Sequence, residues 1–149
     1  MITFKRTNGL DPDFISLTGE LDRELMQQYD EQQVVYGPYN KMGDIQTVLV
    51  AYKGKDPAGC GCFKKVDETV SELKRMFVGN AYRGLGIGAS ILKELERWAK
   101  ESGYTHMILE TGVKQEAAIG LYQKNGYSLI DNYGPYTGLK DSICMKKNI

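Results

Sequence analysis

Apolar residues recur at regular spacing in ten segments of the chain, and the spacing in each segment matches either a strand or a helix. Seven have strand spacing, namely residues 2–6, 45–52, 58–66, 70–78, 107–113, 127–132 and 142–147. Three have helical spacing: a segment that begins at Asp11-Pro12, residues 89–102, and residues 116–124. The predicted order of elements is therefore β-α-β-β-β-α-β-α-β-β.

This order predicts the fold class. The strands at 45–52, 58–66 and 70–78 are separated by short turns, which favours an antiparallel meander. The helix at 89–102 then lies between two strands, as in a crossover connection. We expect an α/β fold with a mixed, mostly antiparallel sheet flanked by helices. The 149 residues contain no repeat or linker, so we expect a single domain over 1–149.

Composition and charge indicate which classes of binding partner the chain is expected to lack. Lys and Arg number 19, as do Asp and Glu, so the formal net charge is zero. A neutral chain lacks the field that draws proteins onto nucleic acid or anionic membranes, and we expect neither partner. No apolar run approaches the roughly 18 residues of a membrane span, and residues 1–10 lack the apolar core of a secretory signal.

The cysteines are Cys60, Cys62 and Cys144, an odd number that excludes a disulfide scaffold. Cys60 and Cys62 have one residue between them, whereas zinc sites usually have two to four. We therefore predict no metal site. Both cysteines point to the same face of a strand, where we expect them to pack as small hydrophobic residues in a cytoplasmic protein.

A glycine-rich loop precedes the clearest helix and is the sharpest chemical signal. It reads Arg83-Gly84-Leu85-Gly86-Ile87-Gly88-Ala89. Glycines let the backbone curl and expose successive N–H groups, and the helix N-terminus adds partial positive charge. Together these features predict a phosphate-binding cradle. We expect the Arg83 side chain to lie on the phosphate side, although it is also able to cap its own loop.

Two phosphate-binding classes compete for this loop. A P-loop requires Gly-Lys-Ser/Thr, but residues 88–90 are Gly-Ala-Ser, which excludes that class. The spacing Gly84-x-Gly86-x-x-Ala89, with Glu110 after it, fits a permissive dinucleotide fingerprint. The fingerprint turn should follow its strand directly, however, whereas here residues 79–83 intervene, and the preceding strands form a meander. A nucleotide-dependent oxidoreductase is therefore a minor alternative.

Three motifs stand out in the second half of the chain. They are the segment 72–78, Arg83-x-x-Gly86-x-Gly88 and Ala118-x-x-x-Tyr122-x-x-x-Gly126-Tyr127. They resemble the fourth strand, the acyl-CoA signature and the later tyrosine segment of the GNAT superfamily of N-acetyltransferases. The motifs follow in the family's order and spacing across 72–127. One departure is Gln115, where many members have Asn.

The resemblance implies a cleft in which the fourth strand splays from the fifth, with acetyl-CoA as co-substrate and no metal. The pantetheine arm is expected beside the backbone of the fourth strand, and the phosphates beside the glycine loop. The implied cofactor-binding residues are Met76, Phe77, Val78, Arg83, Gly84, Leu85, Gly86, Ile87, Gly88, Ala89, Gln115 and Lys124. The amide of Met76 or Phe77 is the implied donor to the oxyanion.

The resemblance also implies catalytic roles. Tyr122 matches the tyrosine that protonates the leaving thiolate, although a core position on its helix is the alternative. Glu72 matches a general base found in some members, although an acid that only balances Lys74 is the alternative. The acceptor-pocket candidates, which ordinary packing explains nearly as well, are Tyr36, Tyr39, Tyr133 and Tyr136.

The implied function is transfer of an acetyl group from acetyl-CoA to a primary amine, directly in a ternary complex. No cysteine lies in a motif that suggests an acyl-enzyme. The expected acceptor is a small-molecule or peptide amine, whose identity the sequence leaves open. A homodimer is kept as one alternative for the oligomeric state. The alternatives are a non-catalytic acyl-CoA-binding or regulatory module on the same fold and, less favoured, the oxidoreductase.

Overall fold

The computed structural model describes residues 1–28 and 43–149, and its elements follow the predicted order. The helices are α1 (Pro12–Gln28), α2 (Ile87–Glu101) and α3 (Glu116–Lys124). Short 3-10 turns occupy Asn80–Tyr82 and Gly134–Tyr136. The strands are β1 (Ile2–Thr7), β2 (Val48–Lys53), β3 (Asp56–Lys65), β4 (Val70–Val78), β5 (His106–Gly112), β6 (Ser128–Ile130) and β7 (Ser142–Asn148).

The seven strands form one sheet in the order β1-β2-β3-β4-β5-β7-β6. Strands β1 to β4 are paired antiparallel in succession, which confirms the predicted meander. Helix α2 then crosses to β5, which lies parallel to β4, and β7 and β6 continue antiparallel beyond it. The expectation of a mixed, mostly antiparallel sheet flanked by helices is confirmed.

The parallel pair β4/β5 divides the sheet. Pairing joins residues 70–73 of β4 to residues 106–109 of β5 and ends at Leu73 and Leu109. Beyond Leu73, β4 continues to Val78 with β3 as its strand partner. The implied splay between the fourth and fifth strands is therefore present, and it leaves the β5-facing edge of residues 74–78 outside the sheet's ladder.

Each face of the sheet carries its own core. On one face, α2 and α3 pack through side chains including Ile91, Leu92, Leu95 and Tyr122. On the other face, α1 packs Phe14 and Leu17 against β2, β3 and β4. Cys60 and Cys62 are fully buried in this second cluster, which confirms the expectation that both pack on one face of the strand.

Local chemistry explains where the helices begin and end. The Asp11 carboxylate accepts hydrogen bonds from the backbone N–H groups of Asp13 and Phe14, as an N-cap residue does, so α1 begins at Pro12 as predicted. Helix α2 ends before Gly103, whose φ of +99° provides the expected left-handed cap. Its start is two residues earlier than predicted, because Ile87 and Gly88 already belong to its first turn.

Within residues 1–28 and 43–149, no helix has both the length and the apolar character needed to cross a membrane.

Candidate functional site

The glycine loop curls as its sequence predicts. Gly84 and Gly86 have φ of +81° and +78°, a left-handed conformation that L side chains rarely adopt. Leu85, between them, is exposed. Ser90 N–H donates to the Gly86 carbonyl at 3.2 Å, so the preceding N–H groups of the first turn of α2 have no acceptor within the helix. Amides and a helix dipole arranged in this way are suited to bind an anion, and we call the loop and this first turn the cradle.

Gly88 serves a different purpose from Gly84 and Gly86. It lies in the first turn of α2, where a Cβ atom would meet Leu121 at 3.3 Å and Val78 at 3.6 Å. A glycine at this position lets α2 approach α3 and the end of β4 closely. The loop thus ends at Gly86, and the cradle lies beside the end of β4, whose β5-facing edge is unpaired.

Arg83 faces a carboxylate. Its guanidinium Nη2 lies 2.7 Å from Glu24 Oε2 on α1, and its Nε donates to the Val78 carbonyl at 2.9 Å. The guanidinium also lies 5.5 Å from the centroid of the Phe77 ring. The phosphate-side role of Arg83 stays a prediction. The side chain ties α1 to the end of β4.

Strand β4 contains a bulge that no sequence signal predicted. Cys60 is opposite Phe77 and Cys62 is opposite Lys74, so Arg75 and Met76 together oppose the single residue Gly61. Arg75 has a φ of +59°. The bulge begins two residues after the last β4/β5 pair, and it includes Met76, the first of the three residues expected to hold the pantetheine arm.

A polar cluster lies on β4 and the turn between β6 and β7, and we define it as Glu72, Lys74, Tyr133 and Tyr136. The Tyr133 hydroxyl donates to Glu72 Oε2 at 2.7 Å, and Lys74 Nζ donates to the Tyr136 hydroxyl at 3.3 Å. The two tyrosine rings meet edge to face, with centroids 5.6 Å apart. The structure thus brings together three of the predicted site residues, Glu72, Tyr133 and Tyr136.

Buried charges dominate the electrostatics of the polar cluster. Glu72 is only 5% exposed, so its carboxylate is buried beside its charged neighbours. Its Oε1 lies 3.6 Å from Lys64 Nζ and 4.0 Å from Lys74 Nζ. Burial lowers the pKa of Lys74, although the charge of Glu72 opposes that shift. Burial, together with the Glu72 charge, raises the pKa of Tyr133, so this hydroxyl stays a proton donor at neutral pH.

Tyr122 lies in the core, as its helix predicts, and its ring packs against Tyr127 with centroids 5.8 Å apart. Burial, followed by the charge of Glu110, raises the pKa of its hydroxyl. The phenol therefore keeps its proton at neutral pH. Glu110, on β5, accepts a hydrogen bond from Ser142 Oγ at 2.8 Å, and burial raises the pKa of its carboxyl.

The remaining predicted residues lie apart from the polar cluster. Gln115 precedes α3, and its side-chain amide donates to Gln28 at the end of α1. Lys124 is exposed at the end of α3. Tyr36 and Tyr39 lie outside the described residues. Met76 and Val78 pack against the α2 side of the core, whereas Phe77 packs on the α1 side.

The family model for the acetyltransferase (GNAT) family matches residues 13–127. The chain belongs to the GNAT acetyltransferase family. It is 33% identical over 154 residues to a protein named IAA acetyltransferase from Azospirillum brasilense, covering 98% of this chain and 97% of that protein. Thus the resemblance in the three motifs extends over the whole described fold.

Solved structures agree with this GNAT assignment. A candidate acyl-CoA N-acyltransferase from Klebsiella pneumoniae superposes with a TM-score of 0.82 at 30% identity, covering 99% of this chain and 97% of that one. A GNAT family acetyltransferase from Elizabethkingia anophelis, solved with acetyl-CoA bound, has a TM-score of 0.71 at 21% identity, covering 99% and 98%. The second likeness concerns the fold alone.

Sequence reasoning missed the contacts that α1 makes in this GNAT acetyltransferase. Glu24 contacts Arg83 beside β4, and Gln28 contacts Lys114 and Gln115 beyond β5, so α1 joins both sides of the cleft. Arg75 was also missed. Nothing in the segment 70–78 distinguishes it from the other charged residues there, Glu72 and Lys74.

Proposed function

We propose that the chain, as one acetyltransferase domain, transfers an acetyl group from acetyl-CoA to a primary amine by direct transfer in a ternary complex. The observation that carries this proposal is the unpaired edge of β4 beyond Leu73, which ends beside a glycine loop with two left-handed residues. An extended, amide-bearing ligand adds to such an edge as a further strand does. Its pyrophosphate then meets the amides at the start of α2.

In this proposal different residues of the cleft bind different parts of acetyl-CoA. The amides of residues 84–89 bind the pyrophosphate, and Gln115 and Lys124 flank the nucleotide end. The backbone of Met76, Phe77 and Val78 binds the pantetheine arm, and one of the first two amides donates to the oxyanion. The acetyl-CoA bound in the Elizabethkingia anophelis relative supports this choice of ligand.

Chemistry at the thioester needs a base, an oxyanion donor and an acid. The amine nitrogen attacks the thioester carbonyl carbon while Glu72 takes an amine proton, directly or through water. The C–N bond forms, the C–S bond breaks, and Tyr122 gives its proton to the departing sulfur. Burial raises the pKa of both tyrosines, so each hydroxyl holds its proton at neutral pH, and the same shift makes Tyr122 a weaker acid than a free phenol.

The state of the thiols supports direct transfer. Burial raises the pKa of Cys62 to about 12 and raises the pKa values of Cys60 and Cys144 as well. Thiolate is the nucleophilic form of cysteine, so none of the three is suited to carry an acyl group at neutral pH. Three buried cysteines also fit the reducing cytoplasm that we propose as the compartment.

The acceptor amine is proposed to enter beside the polar cluster. Tyr133 and Tyr136 supply aromatic walls, and such walls attract an ammonium group. Tyr36 and Tyr39 remain proposed contributors. A small-molecule or peptide amine fits a site of this kind, and the zero net charge argues against nucleic acid and anionic membrane as partners.

Mass spectrometry tests the proposal on both reactants. The protein is incubated with acetyl-CoA alone and then with a panel of primary amines, and the intact protein and the amines are weighed. We expect one amine class to gain an acetyl group while the protein mass stays unchanged. An acetylated protein that passes its acetyl group to the amine would refute direct transfer. Binding of acetyl-CoA with no acetylated amine would favour the non-catalytic module.

A further inference from the structure

Arg75 occupies an unfavourable backbone conformation in the β4 bulge. Within the described residues, it is the one non-glycine residue with positive φ, at +59°. A side chain in the left-handed region clashes with its own backbone, so glycine or asparagine is the usual choice. Such strain persists only where the surrounding structure enforces it, and it clusters at functional sites.

The Arg75 side chain ties the bulge to α1. Its Nη2 donates to the Thr18 carbonyl at 3.0 Å and lies 2.8 Å from Asp22 Oδ1. The side chain is only 6% exposed, and its Nε is buried without a hydrogen-bond partner. A buried charged group with an unmet donor lowers stability. Two unfavourable features, the positive φ and the buried unmet donor, thus coincide at one residue.

Two thiols hold the bulge from the same side. Cys60 Sγ donates to the Arg75 carbonyl at 3.5 Å, and Cys62 Sγ donates to the Lys74 carbonyl at 3.3 Å. These contacts are weak, but they fix the orientation of the two peptide groups that lead into Met76. With the Arg75 side chain, they attach the bulge to β3 and to α1.

We propose that Arg75 is a positioning residue: by anchoring the bulge to Thr18 and Asp22, it aims the Met76 and Phe77 amides at the thioester oxygen. This inference rests on the proposed function. A displacement of about 1 Å in reacting groups can reduce the rate about 100-fold. Loss of one oxyanion donor reduces kcat by about 10²–10³. The anchor therefore acts on turnover more than on binding.

Two variants remove the anchor from opposite ends. Arg75→Gly accepts the positive φ without strain and deletes the side chain, whereas Asp22→Ala leaves β4 untouched. Glu101→Ala is the matched control, because Glu101 is a helical acid with similar exposure (51% against 58%) that lies 2.7 Å from Arg6. Arg75→Lys tests for partial rescue, since lysine keeps the positive charge and much of the length of the side chain.

Steady-state kinetics on the amine that the wild type acetylates best measure the effect of each variant. For Arg75→Gly we expect kcat to fall about 10- to 100-fold while the KM for acetyl-CoA changes less than about threefold. For Asp22→Ala we expect kcat to fall several-fold. The kcat of Arg75→Lys should lie between those of Arg75→Gly and the wild type, and the kcat of Glu101→Ala should equal that of the wild type.

Three results would overturn the role. If Arg75→Gly folds, binds acetyl-CoA and keeps the wild-type kcat, the anchor does not position the amides. Should that variant fail to fold, a kcat of Asp22→Ala equal to that of Glu101→Ala would equally rule out a positioning role. A wild-type enzyme that acetylates no amine would refute the proposed function itself, and the role with it.

Discussion

Among single residues, Tyr122 offers the cleanest substitution. Its ring packs in the core against Tyr127, so Tyr122→Phe keeps the packing and removes only the hydroxyl. If this hydroxyl protonates the leaving thiolate, kcat should fall by about 10²–10⁴. The KM for acetyl-CoA should change little, because the interaction forms mainly in the transition state. Initial rates check this, and an unchanged kcat would return Tyr122 to a packing role.

Glu72→Gln should behave differently from Tyr122→Phe. The substitution removes the proton acceptor but preserves an oxygen for the hydrogen bond from Tyr133, which is 2.7 Å in the wild type. If Glu72 is the base, raising the pH should recover much of the lost rate, because more of the amine is then already neutral. Tyr122→Phe, measured over the same pH range, is the control and should not recover. A Glu72→Gln rate that stays low at every pH would assign Glu72 to substrate binding.

Glu110 provides a prediction about stability and pH. Burial raises the pKa of its carboxyl above the ordinary 4.5, so the folded state holds a proton that the unfolded state releases. The stability that protonated Glu110 contributes to the folded state is complete below pH 4.5, and it is lost as the pH rises through the folded-state pKa. Glu110→Gln does not titrate. Denaturant unfolding should therefore show the variant gaining stability relative to the wild type as the pH rises above 4.5, and a constant difference would contradict the buried, ionisable carboxyl.

At the scale of elements, the glycine loop allows a matched pair of substitutions. Gly86 and Gly54 both have positive φ, +78° and +64°, and a Cβ atom at either would meet nothing within 4 Å. Valine at either position should cost similar backbone strain, on the order of 1–2 kcal/mol. Only Gly86→Val should lose affinity for acetyl-CoA, because only Gly86 lies in the cradle. Calorimetric titration of both variants checks this, and equal affinities would mean that the phosphates bind elsewhere.

The elements themselves were largely predictable, since periodicity and caps act locally. Asp11-Pro12 and Gly103 mark helix ends through their own hydrogen bonds and backbone angles. The bulge at Arg75 was not predictable, because nothing in the segment 70–78 marks a left-handed residue. The Arg75 side chain is held in that conformation by α1 contacts, which are 57 and 53 residues away in sequence. The start of α2 was misjudged because Gly88 suggests a loop, whereas here it permits close packing.

At the scale of the whole molecule, the sheet order explains why a cleft exists. A four-stranded meander and the β5-β7-β6 group are joined through only four residue pairs of β4 and β5. Local patterns predicted the crossover but not where this pairing would end, and the splay was implied by family resemblance alone. The contacts within the polar cluster were likewise not predictable from local patterns, because Glu72 and Tyr133 are 61 residues apart in sequence and meet only in the folded chain.

Acetyl-CoA lying between β4 and β5 is the claim on which every catalytic role depends, and thermal unfolding tests it without a known acceptor. At 100 times its dissociation constant, acetyl-CoA should stabilise the protein by about 2.7 kcal/mol and raise Tm accordingly. NAD should give no shift, and the shift should be absent in Gly86→Val. No shift at millimolar acetyl-CoA, with one from NAD instead, would contradict an acetyl-CoA site.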